Sequence, residues 1–482
     1  MQLLHIALFA AGGLLFAAAA PARGRGWLLL AASIVVLYAL QPALPVRGLD
    51  FALPTAAVAL AAAVWWATRP PDAGRPSPDD LAALGLAAGL ILGLAATRYL
   101  APELRPTASR PPDPLTTALA LLLAAGLLAG LWALLRLSRR PLAGALLLLA
   151  AGFAALKTPP LAEAISAALR GLNGQPVELA AAADLEWLGF SYLAFRWIHA
   201  VRERQMGRLP ALSLREFLTY SLFFPAITAG PIDRAERFIK DLRALHPAAA
   251  APAALFAAPR LVEAGGRIAM GLFKKFVIAD SLALLALDAA NAEQAVSAGG
   301  LWLLLYGYAF RLFFDFSGYT DIAIGLGLLV GVRLPENFDR PYLKPNLAAF
   351  WQSWHMTLSS WARFYLFSPL SRALLARRTP AGAAVFIAQM ATMLLIGLWH
   401  GVTGGFIVWG AWHGLGLFAH KLWSDRTRKW YLGLNAHPRR KAAWTLAGIL
   451  LTFHFVALGW VWFALPLATA ARVFPRLLGI GW

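Results

Sequence analysis

The sequence predicts an all-α, polytopic integral membrane protein with about 11–13 transmembrane helices, plus re-entrant and amphipathic ones. Three observations lead there. Of 482 residues, 60% are hydrophobic and 14% charged, against about 45–50% and about 25% in soluble domains. The mean hydropathy is +0.62. The apolar residues are gathered in runs near the roughly 20 residues that cross a hydrocarbon core of about 30 Å. These exclude a soluble enzyme and a disordered chain. With no cysteine, they also exclude a disulfide scaffold, a thiolate metal site and a cysteine nucleophile. The net charge of +19 comes from Lys and Arg between the apolar runs, the pattern of the positive-inside bias and of anionic headgroups. The expected partner is therefore the lipid bilayer, in a multi-pass inner or plasma membrane protein, and not nucleic acid.

The first run ends in AAAAPA like a signal peptide, but no Lys or Arg precedes it. It reads as an uncleaved first helix. Runs follow at 27–43, 51–67, 81–99, 115–135 and 142–156. Their Pro- and charge-rich separators read as loops, because unpaired backbone is not tolerated in lipid. Arg136, Arg139 and Arg140 make one basic, cytoplasmic-type end. Residues 1–175 carry little that could do chemistry and read as transmembrane scaffold; residues 176–482 read as the catalytic core. No internal repeat is evident.

From about residue 185 the apolar runs (186–200, 213–230, 262–290, 300–331, 346–370, 382–399, 402–423 and 443–466) contain Trp, His, Asp, Arg and Lys. Intramembrane ionisable groups are costly and usually functional. Pro225 and the Gly230–Pro231 pair break the run at 223–234, which predicts a re-entrant element or cavity wall. Of nine histidines, His246 and His437 lie beside Pro in polar stretches and His5 at the chain start. Metal is not expected: HExxH is absent, His413 and His420 are two turns apart, and Asp315 and Asp321 do not form a DxD motif. A neutral imidazole can instead take a proton from a hydroxyl near pH 7. His355 follows a Trp-rich stretch whose apolar residues recur at i, i+3 and i+4. His400 sits between Gly397 and Gly401, where missing side chains leave room for a ligand. For His199, His413, His420 and His454 the ordinary reading is a packed core histidine.

Several passages resemble, in order, the membrane-bound O-acyltransferase (MBOAT) family, in the bacterial branch of alginate O-acetyltransferase and the teichoic-acid D-alanyl transfer protein. They are WLGFSYLAFR (187–196), FPAITAGPIDR (224–234), GLFKKFVIAD (271–280), FDFSGYTDIAIG (314–325), PENF (335–338) running on to FWQSWH (350–355), GLWHG (397–401) and WGAWHG (409–414). They cover roughly residues 185–465. The resemblance implies an MBOAT-like fold and transfer of an acyl group, acetyl in the first instance, from a cytoplasmic thioester donor to a hydroxyl of an extracytoplasmic polysaccharide or cell-envelope polymer. It assigns His400 as the residue that deprotonates the hydroxyl and His355 as the one that orients or polarises the thioester. Trp354 and Trp399 would shape the tunnel. Asp315, Tyr319, Asn337, Arg234, Lys274 and Lys275 would bind substrate or line its path.

No bound cofactor or metal is implied; the co-substrate is an acyl thioester, acetyl-CoA or an acyl carrier protein. A periplasmic or surface SGNH-type acyltransferase is the implied relay partner if transfer is indirect. Phe364 stands where an aspartate is common, and 367–372 (FSPLSR) lacks the usual PLGG. The text around 230–234 is nearer the D-alanyl branch and that around 317–321 nearer the acetyl branch. D-alanyl transfer toward teichoic acid and a non-catalytic transporter both remain open at this point.

Overall fold

A computed structural model describes residues 2–70, 72–138, 140–246 and 255–481; Arg139 of the basic end lies outside them. Regular structure among the described residues is helical, apart from one isolated antiparallel bridge, Phe338 with Trp354. Among the described residues seven helices are long and apolar enough to cross a membrane. They become eight if Pro141–Lys157 and Pro159–Leu172, bent by 89°, count as one span. The expected 11–13 also counted runs outside this test. Leu3–Ala19 has only 17 residues, about 25 Å at 1.5 Å per residue. The run at 346–370 becomes a short helix, Leu347–Trp351, and then one continuous helix over 356–376 with a π-helical turn at Arg363–Phe367. The chain forms two compact units, Met1–Ile268 with Ala323–Leu334, and Ala269–Ile322 with Pro335–Trp482.

In the first unit the early apolar runs become the helices Arg25–Leu40, Leu49–Ala67, Pro78–Leu100, Pro114–Arg136 and Pro141–Lys157. Several open on proline, whose missing N–H costs nothing in the first turn. The nine-residue helix Leu214–Leu222, capped by Ser213 with Glu216, is buried and packs against the first three of these spans. Asp80 accepts the free N–H of Leu214 at 2.7 Å.

After this helix the backbone breaks as expected, into a short turn at Phe224–Ala226 and then an irregular stretch. The carbonyls released by the break need donors. Arg196, 1% exposed, supplies them to Ser221 at 2.7 Å and Ala226 at 3.1 Å. Gly189, at φ +69°, packs where a Cβ would stand 2.2 Å from the Ile227 carbonyl oxygen. The broken segment is thus covered by protein. One amphipathic helix, Pro159–Leu172, was not anticipated. It buries Ala162, Ser166 and Arg170 at i, i+4 and i+8, and Ser166 and Arg170 hydrogen-bond Asp184 at 2.7 and 2.8 Å.

In the second unit Phe273–Ala279 is wound as a π-helix, a form often found at functional sites. It lies beside Ala298–Leu329, and the two approach backbone to backbone: a Cβ on Gly271 would stand 2.6 Å from the Gly318 carbonyl oxygen. Ala381–His400 and Gly404–Gly433 form a tight hairpin, joined at 401–403 and flanked by Pro438–Ala464.

Candidate active site

The site lies within the second unit and begins at residue 337. Asn337 is fully buried, and its carbonyl oxygen accepts the Met356 N–H at 2.9 Å, while the Ser353 carbonyl accepts the Asp339 N–H at 3.0 Å. These bonds tie the PENF segment to the WH segment. His355 ends the tie as the N-cap of Met356–Ala362, in the left-handed region at φ 44° and ψ 53°. A non-glycine residue there costs on the order of 1–3 kcal/mol and is held by its surroundings. Here the surroundings are specific. The Asn337 side-chain oxygen lies 3.1 Å from His355 Nδ1 and accepts from the Thr357 hydroxyl at 2.7 Å and the Thr357 N–H at 3.2 Å. The Phe316 ring meets the imidazole edge-to-face at 4.8 Å. His355 is 3% exposed, and its Nε2 has no hydrogen-bond partner.

His400 closes Ala381–His400 as its last residue. It is half-buried in an aromatic surround of Trp399 at 4.4 Å, Phe463 at 4.7 Å, Trp409 at 5.5 Å and Phe406 at 5.9 Å. Trp399 also lies 6.2 Å from the His355 ring, so its indole touches both histidines. His400 is thus neither fully buried nor fully exposed. A partly open imidazole beside a buried one with a vacant nitrogen can handle a proton and hold a polar substrate together.

The structure brings four of the expected residues together: His355, His400, Trp399 and Asn337. Trp354 is packing, 5% exposed among Phe338, Phe350 and Trp460 at 5.2, 5.6 and 5.3 Å. Lys274 pairs with Asp321 at 2.6 Å, and Lys275 with Asp315. Both pairs clip the π-helical stretch to Ala298–Leu329. Tyr319 is buried on that same helix, whereas Arg234 is exposed and belongs to the first unit. Among the described residues no three His, Asp or Glu come together as a metal site.

The packing histidines are of two kinds. His454 is satisfied, its Nδ1 2.7 Å from the Leu450 carbonyl and its Nε2 2.8 Å from the Tyr306 hydroxyl. His199 Nε2 accepts the Ala235 N–H at 3.1 Å. His413 is fully buried and neither ring nitrogen has a partner; Trp409 and Trp351 press on it at 4.9 and 5.2 Å. An unsatisfied buried polar group costs about 1–3 kcal/mol. His413→Leu is thus expected to keep or raise the thermal midpoint in detergent. A fall of several degrees would show that the imidazole is satisfied by a buried water. No motif in the sequence marks Thr357, Phe406 or Phe463, whose contacts with the site form only on folding.

The MBOAT, membrane-bound O-acyltransferase family, profile matches residues 177–458. A teichoic acid D-alanyltransferase from Streptococcus thermophilus is 35% identical over 296 residues, 58% of this chain and 68% of that protein. A protein named probable alginate O-acetylase from Pseudomonas aeruginosa is 35% identical over 298 residues, 61% of this chain and 52% of that one. A peptidoglycan O-acetyltransferase from Helicobacter pylori is 34% identical over 293 residues, 58% and 52%. The chain spans only about half the length of the last two. With a profile covering more than half of its residues and both motif histidines inside the match, the chain belongs to the membrane-bound O-acyltransferase family.

Proposed function

We propose that this protein transfers an acyl group, acetyl in the first instance, from a cytoplasmic thioester to a hydroxyl of an extracytoplasmic polysaccharide or cell-envelope polymer, with His400 as general base. The half-open His400 beside the vacant nitrogen of His355 is the observation that carries this reading. The hydroxyl proton passes to His400 as its oxygen attacks the thioester carbonyl. The C–S bond breaks, and the released thiolate takes up the proton that His400 had accepted, directly or through solvent, which restores the neutral base. No acyl-enzyme is needed if both substrates meet at the base. Trp399 walls the reacting centre, and the Lys274–Asp321 and Lys275–Asp315 pairs hold the helices that frame it. Residues 1–175 serve as scaffold, and residues 176–482 as the acyltransferase core.

Names of relatives support this reading: alginate O-acetylase and peptidoglycan O-acetyltransferase both describe acetyl transfer to glycan polymers. A second reading, D-alanyl transfer from a carrier-protein thioester toward teichoic acid, is favoured by one observation. The matches span 68% and 69% of the two teichoic acid D-alanyltransferases. Purified protein in lipid, given radiolabelled acetyl-CoA or D-alanyl carrier protein with a polymer acceptor, decides between them. Label entering polymer from acetyl-CoA supports the first, and from the carrier the second. Label released only when an SGNH-type acyltransferase is added indicates relay. Label that crosses the membrane still joined to its thioester, with no transfer, would make the protein a transporter and end both readings.

A further inference from the structure

We infer that Asn337 is a positioning residue that holds the His355 proton on Nδ1 and leaves Nε2 a bare acceptor, so that His355 receives an N–H or O–H of a substrate rather than polarising the thioester carbonyl. The functional half of this rests on the acyl-transfer reading above. The geometry itself does not.

The chain of reasoning starts at a backbone amide. The Thr357 N–H points at the Asn337 side chain at 3.2 Å. An amide N–H can only donate, so the atom facing it is the amide oxygen and not the nitrogen. That same oxygen lies 3.1 Å from His355 Nδ1. An oxygen so placed accepts, and Nδ1 therefore carries the proton. In a neutral imidazole one nitrogen donates and the other accepts, so Nε2 holds a lone pair. A doubly protonated ring at 3% exposure would bury a charge, which is expensive without a paired partner.

The lone pair is unused in the resting fold, since Nε2 has no partner. It belongs to a ring whose other neighbours are Phe316 and Trp399, neither of which satisfies it. Polarising a thioester carbonyl requires a donor, and the one proton of His355 is already committed to Asn337. What this nitrogen can do is accept. The pantetheine amides of a thioester donor and the hydroxyls of a glycan both offer the hydrogen it lacks.

The tautomer can be read without turnover. Full-length protein with ¹³C,¹⁵N-labelled histidine is reconstituted in lipid and examined by magic-angle-spinning NMR. His355 is assigned as the ring signal lost in His355→Gln. Wild type is expected to show a neutral Nδ1–H ring at His355. Asn337→Asp keeps an oxygen in place and should retain it. Asn337→Leu removes the acceptor and should release the ring to the Nε2–H form that free imidazoles favour. An Nε2–H ring in wild type, or an unchanged tautomer in Asn337→Leu, overturns the inference.

Acetyl-CoA-driven transfer should fall on the order of 10²-fold in Asn337→Leu, less than the about 10⁴-fold that a wrong tautomer costs a histidine acting as the base itself, because His355 holds substrate rather than taking its proton, and recover in Asn337→Asp. A rise in KM for acetyl-CoA alone identifies the thioester as the group His355 holds; a rise for the polymer alone identifies the hydroxyl. Full turnover by Asn337→Leu would remove the functional half. Activity of His400→Ala tests the acyl-transfer reading separately, so the two can fail independently.

Discussion

Replacing His400 with alanine is expected to lower acyl transfer by about 10²–10⁴-fold, the range attributed to a positioned general base, while the protein still inserts and purifies as wild type. The expectation follows from where the ring sits. His400 is the last residue of a 20-residue helix and is half-buried, at the edge of an aromatic cluster rather than inside it. Its neighbours Trp399, Phe406, Trp409 and Phe463 are large rings that contact one another; Phe463 meets Phe406 at 4.9 Å and Trp409 at 5.5 Å. Truncating a half-exposed side chain at their edge leaves that cluster standing. Loss of function with retained fold separates a chemical role from a packing one. The measurement is label transfer from thioester to polymer, alongside gel filtration and thermal unfolding of the same preparation. Near-normal transfer by His400→Ala would remove the base from this residue.

A valine at Gly397 is expected to do comparable damage by a different route. Three residues before His400, a Cβ on Gly397 would stand 2.3 Å from the Phe406 carbonyl oxygen across the hairpin. Gly410 is in the same position from the other side, 2.7 Å from the Met393 carbonyl oxygen. Backbone atoms cannot swing away as a side chain can, so the helices must part. Overpacking of this kind costs about 1–3 kcal/mol, visible as a lowered thermal midpoint. Its larger consequence is geometric. The turn that ends in His400 moves, and a shift of about 1 Å at a catalytic group can cost about 10²-fold in rate. Gly382 at the far end of the same helix has nothing within 4 Å of its would-be Cβ, so Gly382→Val should leave activity and midpoint nearly unchanged. Gly414 is intermediate, because the atom it faces at 2.5 Å is the movable Met390 sulfur. Equal losses at Gly382 and Gly397 would mean that valine in this helix, not the hairpin contact, is responsible.

How far the sequence could be read depended on the range of the interaction concerned. Apolar runs at 51–67, 81–99, 115–135 and 142–156 lie within the helices Leu49–Ala67, Pro78–Leu100, Pro114–Arg136 and Pro141–Lys157, because hydrophobic length is a local property. The break after Leu222 was legible from Pro225 and Gly230 for the same reason. The amphipathic helix Pro159–Leu172 is less legible: it turns Ala162, Ser166 and Arg170 inward with Ile165 and Leu169 partly buried beside them, and two of these five are polar or charged because they bind Asp184, a partner no local pattern shows. The lysines at 274 and 275 stood out as ionisable groups in an apolar run, but their partners are 47 and 40 residues away. Their clip-like pairing is a consequence of the Gly271–Gly318 crossing.

By itself the sequence determined a membrane protein built of helices and the family to which it belongs, and it singled out two histidines, His355 and His400. These follow from hydrophobic runs and from motifs a few residues long. Tertiary structure alone decided that Asn337 meets His355 across 18 residues, that Trp399 touches both imidazoles, and that Trp354 is packing. A hydrogen bond or a ring contact between distant segments depends on how the chain returns on itself. Local patterns of polarity do not encode that return; it is set by which backbones come close enough to touch.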